Sequence, residues 1–108
     1  MKEAIFMRLF VMFDLPTDTK RGRQYASKFR SHLLRNGFNM MQYSIYIRVC
    51  KGQDETDKYI NRIKKALPPK GNVRILQITD KQYNRMEILV GEKKIEEKKL
   101  HIEQLVLF

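Results

Sequence analysis

Residues 8–23 read RLFVMFDLPTDTKRGR. An apolar run ends in Asp14, Leu15-Pro16 breaks it, and a burst of positive charge follows. The run reaches back to Ile5. Over 5–13, IFMRLFVMF is too apolar for an exposed strand and too short for a helix before a proline, so it predicts a central β-strand. Proline removes an amide donor and holds its predecessor extended, which ends the strand. Thr17 or Asp18 is placed to cap the following helix, expected over about 18–36. Tyr25, Phe29 and Leu33 recur at i, i+4 and i+8, with Ala26, Leu34 and Phe38 nearby, as one apolar stripe. Asn36-Gly37 is a left-handed helix stop.

Beyond that stop, NMMQYSIYIRV (39–49) alternates. Met41, Tyr43, Ile45, Ile47 and Val49 share one face; Met40, Gln42, Ser44, Tyr46 and Arg48 share the other. The segment is long and reads as one bent strand or two short ones. A second helix is expected over about 54–67, with Tyr59, Ile60, Ile63 and Leu67 inward and Pro68-Pro69 as its stop. NVRILQIT (72–79) predicts a strand, DKQYNRM (80–86) a turn with a short helical piece, EILVG (87–91) a short strand, and QLVLF (104–108) a strand with no local partner. With 39–49 counted as two strands, the order is βαββαβ, an α+β ferredoxin-like sandwich with both helices on one face of the sheet. The chain divides into a domain over 1–91 and a charged linker with a terminal strand over 92–108. The face opposite the helices should carry Arg8, Phe10, Met12 and Asp14, with Gln42, Ser44 and Tyr46. Such a half-apolar face needs a cover, and a second copy related by a twofold axis is the simplest one.

The 108 residues carry 22 Lys+Arg against 12 Asp+Glu, a net charge of +10 that points to a polyanionic partner. The charge is segregated. Residues 17–36 hold Lys20, Arg21, Arg23, Lys28, Arg30 and Arg35 against Asp18 alone, and 61–74 hold Arg62, Lys64, Lys65, Lys70 and Arg74 with no acid. A surface that tracks phosphates needs such a patch, and Arg21, Arg23, Lys28, Arg30, Arg35, Arg62 and Lys65 are the candidate nucleic-acid contacts. In GEKKIEEKKLHIE four lysines balance four glutamates, as on a solvated segment. One cysteine, Cys50, excludes an intrachain disulfide and a Cys-rich zinc site, reads as a small buried apolar residue, and fits a cytoplasmic setting. No apolar run approaches the roughly 20 residues of a membrane span, so no membrane partner is expected.

Asp14 is the candidate catalytic and metal-binding residue. As a structural residue it would cap the turn amides after the strand. As a functional one it needs a second carboxylate, and two copies of Asp14 facing across a dimer axis would supply it. Such a pair would hold Mg2+ (or Mn2+) and could activate water toward a phosphodiester. Asp18 and Asp80 are expected as surface caps, and His32 and His101 as structural or solvent-facing residues. Tyr43 is expected in the core. Tyr46 could pack in the core or stack on a base. No Gly-rich phosphate loop or nucleophile elbow is present.

The motif FDLP at the first strand's end, NGFNMMQYSIYIRV after the first helix, and LPPKGNVRILQITDKQYNRMEILVGE beyond the second resemble the second CRISPR-associated protein, the small adaptation protein of bacterial adaptive immunity. The resemblance covers about 5–92, and looks closest to members from systems whose effector is a single RNA-guided nuclease. It implies a ferredoxin-like fold and a symmetric homodimer in which the last strand crosses to the partner's sheet. It implies a complex with two dimers of the adaptation integrase around a short duplex of captured DNA. Metal-dependent cleavage of single-stranded RNA or double-stranded DNA is attributed to some members, with the strand-end aspartate, here Asp14, at the metal. Family arginines match Arg21 and Arg23, and the aromatic of the QYS strand matches Tyr46. Two departures, Met40 for a basic residue and Phe13 for an aromatic hydroxyl, count against nuclease activity and leave the scaffold role untouched. The alternative is a stand-alone endoribonuclease, toxin-like, of the same fold. An RNA-binding sheet module lacks its aromatic strand motif here.

Overall fold

The computed structural model describes residues 5–92. Their order is β1 (Phe6–Asp14), α1 (Lys20–Arg35), β2 (Asn39–Gln42), β3 (Ile45–Lys51), α2 (Gly52–Lys64), β4 (Asn72–Thr79) and α3 (Asp80–Tyr83). The strands form one sheet in the order β2-β3-β1-β4, every neighbouring pair antiparallel. This is the expected ferredoxin-like βαββαβ sandwich, with the 39–49 segment split in two. The terminal strand expected at 104–108, and the linker after Glu92, lie outside the described residues.

β1 is central because both its faces are apolar. Leu9, Val11 and Phe13 point to the helices and pack with Phe29 and Leu33 of α1 and with Tyr59 and Ile63 of α2. The Phe13 ring meets Phe29 edge-on at 5.3 Å and stacks on Tyr46 at 5.6 Å. Cys50 is buried in the same cluster, as expected, and burial pushes its thiol up from its ordinary pKa while Thr56 offsets part of that rise.

On the opposite face, Phe10, Ile47 and Tyr83 form a second cluster flanked by Met41, Ile45 and Ile78. Arg8 lies on this face as expected, but it is fully buried rather than open. Its Nε donates to Asp80 Oδ1 at 2.7 Å, and its guanidinium sits 4.3 Å from the centre of the Tyr83 ring. Asp80 is therefore a buried arginine's partner rather than a surface cap. Reciprocal bonds between Thr79 and Gln82 cap α3 over this pair.

Several boundaries differ from the sequence reading. α1 is capped by Thr19, whose hydroxyl accepts from the Gly22 amide at 2.9 Å, rather than by Thr17 or Asp18. The Pro16 carbonyl folds back to where a Cβ on Gly22 would sit only 2.6 Å away, so this turn requires glycine. Tyr25 and Leu34 are exposed, leaving Ala26, Phe29 and Leu33 as the buried stripe of α1. α2 begins at Gly52 and ends at Lys64, and Leu67 is exposed beyond it. Residues 87–91 form no strand: a ladder needs a neighbour, and among the described residues none pairs with this run.

The largest correction concerns which face of 39–49 meets the helices. Met40 pairs with Tyr46, and Met41 packs with Ile45 and Ile47, so these residues keep the expected sets, while Gln42, past a register shift after Met40, pairs with Ile45. Pairing with Val11, Leu9 and Met7 of β1 turns Tyr46, Arg48 and Cys50 to the helices, and Ile45, Ile47 and Val49 lie on the opposite side. Tyr46 leaves the open face and becomes core, whereas Tyr43, expected in the core, is 83% exposed at the hairpin tip.

Candidate nucleic-acid interface

The basic residues of α1 lie on two flanks of the helix. Arg21, Tyr25, Lys28, His32 and Arg35 recur at spacings of four and three, so they share one side. Arg23 and Arg30, seven apart, share another. The buried stripe separates neither flank from solvent, and Arg21, Lys28 and Arg35 are all exposed.

The first flank faces the segment after α2. At the α1 N-terminus, Arg21 and Tyr25 line a hollow of about 520 Å³ with Pro68, Pro69 and Lys70. Next to it, Lys28, His32 and Arg35 line a hollow of about 300 Å³ with Lys65 and Leu67. Tyr25 and Pro68 belong to both, so the two hollows make one groove along the helix. The tandem prolines fix φ along its far wall. Its cations are Arg21, Lys28, Arg35, Lys65 and Lys70, and Asp18 is its one carboxylate.

The end of α1 that opens this groove breaks a local rule. Acidic side chains stabilise a helix N-terminus, yet the first turn here has none and carries Lys20, Arg21 and Arg23. Backbone amides and guanidinium groups thus present positive charge together, an arrangement that an anionic ligand would relieve.

The other candidates divide. Arg23 folds back, its Nη1 donating to the Thr17 carbonyl at 3.1 Å. Arg62 donates to Asn36 Oδ1 at 3.1 Å and lies 5.0 Å over the Tyr59 ring, at the edge of the helix layer. Arg30 lies by the β2–β3 hairpin, lining a hollow with Met40 and Tyr43. Tyr46 is 2% exposed and stacked on Phe13, so its ring has no open face for a base, and its place among the nucleic-acid contacts is corrected. Sequence reading missed Tyr25, His32 and Lys70 in the groove. The helical spacing from Arg21 to Arg35 signals the first two, whereas only the tertiary fold brings Lys70 to them.

Asp14 is exposed at the end of β1, opposite Asn72 of β4. It borders a shallow hollow of about 260 Å³ with Ser44, Asn72 and Arg74. Its neighbours offer oxygen donors, which suit Mg2+ or Mn2+ better than zinc. Among the described residues no three His, Cys, Asp or Glu side chains gather as a metal cluster. Asp80 is held by Arg8, six residues and about 20 Å back along the strand. Among the described residues Asp14 is thus the one carboxylate at this hollow.

Gly71 fixes where Asp14 stands. It has φ +105°, and a Cβ there would lie 2.7 Å from the Asp14 carbonyl oxygen and 2.8 Å from Leu15 Cδ2. Gly71→Ala should cost about 2–3 kcal/mol in thermal unfolding, because strain and a backbone clash coincide. A loss below about 0.5 kcal/mol would mean that the β1 end yields freely, against this placement.

Comparison with known proteins agrees with the resemblance. Residues 7–86 match the model of the family described as CRISPR associated protein Cas2. The chain is similar to a CRISPR-associated endoribonuclease Cas2 of Campylobacter jejuni, with 46% identity over 108 residues, all of this chain and 76% of that relative. Proteins of the same name from Flavobacterium psychrophilum and Ligilactobacillus salivarius share 45% identity over 100 residues and 44% over 101. These alignments cover 93% and 94% of this chain, and 86% and 99% of the relatives.

Proposed function

The chain belongs to the CRISPR associated protein Cas2 family, and on that premise we propose that it serves CRISPR adaptation as a homodimeric scaffold that binds duplex DNA between two dimers of the adaptation integrase. The observation that carries this reading is the groove along α1. Arg21, Lys28 and Arg35 run in line along the helix, Lys65 and Lys70 face them from the segment after α2, and cations outnumber the one carboxylate, Asp18, five to one. Such a surface follows phosphates and is indifferent to sequence, as a holder of captured DNA must be. The half-apolar sheet face around Met12, Ile45 and Leu76 supports the dimer, and nothing in the reading requires chemistry at the groove.

Duplex binding should therefore be dominated by counterion release. Five phosphate contacts give a slope of about −4.5 in log K against log salt, or roughly a 500-fold loss between about 50 and 200 mM. A shallow slope, near −1, would sink the groove as the binding surface.

A second reading rests on Asp14 and on the names of the relatives, which are endoribonucleases. In a twofold dimer with the β1 ends near the axis, two Asp14 carboxylates would hold Mg2+ or Mn2+, the ion supplying an activated water for phosphodiester cleavage. Within this chain Asp14 would bind the ion, and Arg74 beside it would hold a phosphate of single-stranded RNA or of DNA. Purified protein with Mg2+ should then cleave labelled single-stranded RNA or duplex DNA, and Asp14→Ala should lower the rate at least about 100-fold while leaving duplex binding alone. Equal rates in both proteins, or no cleavage in either, would leave the scaffold role alone.

A further inference from the structure

Tyr43 is more exposed than any other described aromatic ring. It is not on a loose loop. Ser44, the next residue, holds a left-handed φ of 62°, and its carbonyl accepts from the Phe13 amide at 3.1 Å, pinning the hairpin tip to β1. The backbone thus accepts strain to present a large apolar ring to water.

Under that ring lies a hollow of about 320 Å³. Phe13 and Tyr46 contribute to its walls, Met40 and Tyr43 complete its apolar lining, and Arg30 of α1 supplies a cation. No carboxylate lines it. It shares Phe13 and Ser44 with the hollow that Asp14 and Arg74 border, so the two adjoin across the Phe13–Ser44 hydrogen bond.

An exposed ring on a pinned backbone, a soft thioether and a guanidinium fit a flat aromatic group that carries negative charge. A nucleotide has both parts: a base stacks on the phenol ring and the guanidinium takes a phosphate. A base inside a duplex is closed on both faces by its neighbours, so the ring is suited to an unpaired base. An apolar side chain of another protein would use the ring and leave Arg30 without an anion, which favours the nucleotide. We propose that Tyr43, Met40 and Arg30 form a stacking site for an unpaired base of a single-stranded nucleic acid, beside Asp14. The proposal rests on the nucleic-acid-binding function above, and assigns this end of the sheet to single strands while the α1 groove takes duplex.

The test is fluorescence anisotropy of the full chain in EDTA, so that no cleavage intervenes. The probes are a single-stranded RNA, an abasic strand of equal length, and duplex DNA. Tyr43→Ala should weaken single-stranded RNA binding about ten-fold, leave the abasic strand and the duplex unchanged, and be rescued by Tyr43→Phe. Unchanged RNA affinity would overturn the proposal, as would equal losses on all three probes. Unchanged RNA affinity with loss of a complex with the integrase would reassign the patch to a protein partner. Each of these results leaves the duplex salt slope of the wild type as it is, so failure here is distinguishable from failure of the scaffold reading.

Discussion

Replacing Arg21, Lys28 and Arg35 together by glutamine should reduce duplex DNA binding about 100- to 1000-fold at about 0.1 M salt, the counterion term of three phosphate contacts. The same change should flatten the salt slope from about −4.5 to about −1.8, since only Lys65 and Lys70 remain. All three side chains are exposed, and their carbons make no part of the buried stripe, so the melting temperature should move little. Arg23→Gln is the internal comparison. Its guanidinium is directed at the Thr17 carbonyl and outside the groove, so it should cost less than any one groove residue. If Arg23→Gln weakens binding as much as the triple change, the duplex lies over the α1 N-terminus rather than along the helix.

The second large effect concerns the fold. Asp80→Ala leaves the buried Arg8 guanidinium without its carboxylate and should destabilise the domain by about 3 kcal/mol. Asp80 is partly exposed, so water reaching the gap keeps the loss toward the lower end of that expected for a severed buried pair. In a domain this small the loss should lower Tm by more than about 10 °C. Arg8→Met in the same chain should recover much of it, because the charge is then gone and the methionine can pack beside Phe10 and Tyr83. A loss below about 1 kcal/mol in Asp80→Ala would show that the pair does not hold α3 to the sheet. This pair lies at the opposite end of β1 from Asp14, so folded Asp80→Ala should bind duplex DNA as the wild type does.

These outcomes depend on features that were unequally legible in the sequence. β1, both long helices and β4 follow from apolar runs, helical spacing and the breaks at Pro16, Gly37 and Pro68, and their order gives the ferredoxin-like sheet. What periodicity could not reveal is which face of 39–49 meets the helices. Alternation sorts the run into two sets that are both partly apolar, and only the register against β1, Val11 to Tyr46 and Leu9 to Arg48, decides which set is buried under the helices. Tyr43 and Tyr46 consequently traded places, one to solvent and one to core. The run 87–91 has strand composition, but composition does not provide a neighbour.

The site was visible as charge and invisible as shape. The two basic segments are plain in the sequence, and Arg21, Lys28, Arg35 and Lys65 do come together. That Arg23, Arg30 and Arg62 are drawn elsewhere depends on a loop carbonyl, a hairpin tip and an asparagine that only the folded chain brings near. Asp14 stands where the strand's end places it. Among the described residues no second carboxylate joins it.

The central claim is that DNA held along α1, and not chemistry at Asp14, is what this protein contributes to adaptation. The most direct measurement is spacer acquisition in cells that carry the integrase and a repeat array. Array growth should be scored with the wild type, with the Arg21/Lys28/Arg35 triple glutamine variant, and with Asp14→Ala. The account predicts growth with Asp14→Ala and none with the triple variant. Growth with the triple variant and a null result with a folded, normally expressed Asp14→Ala would contradict it.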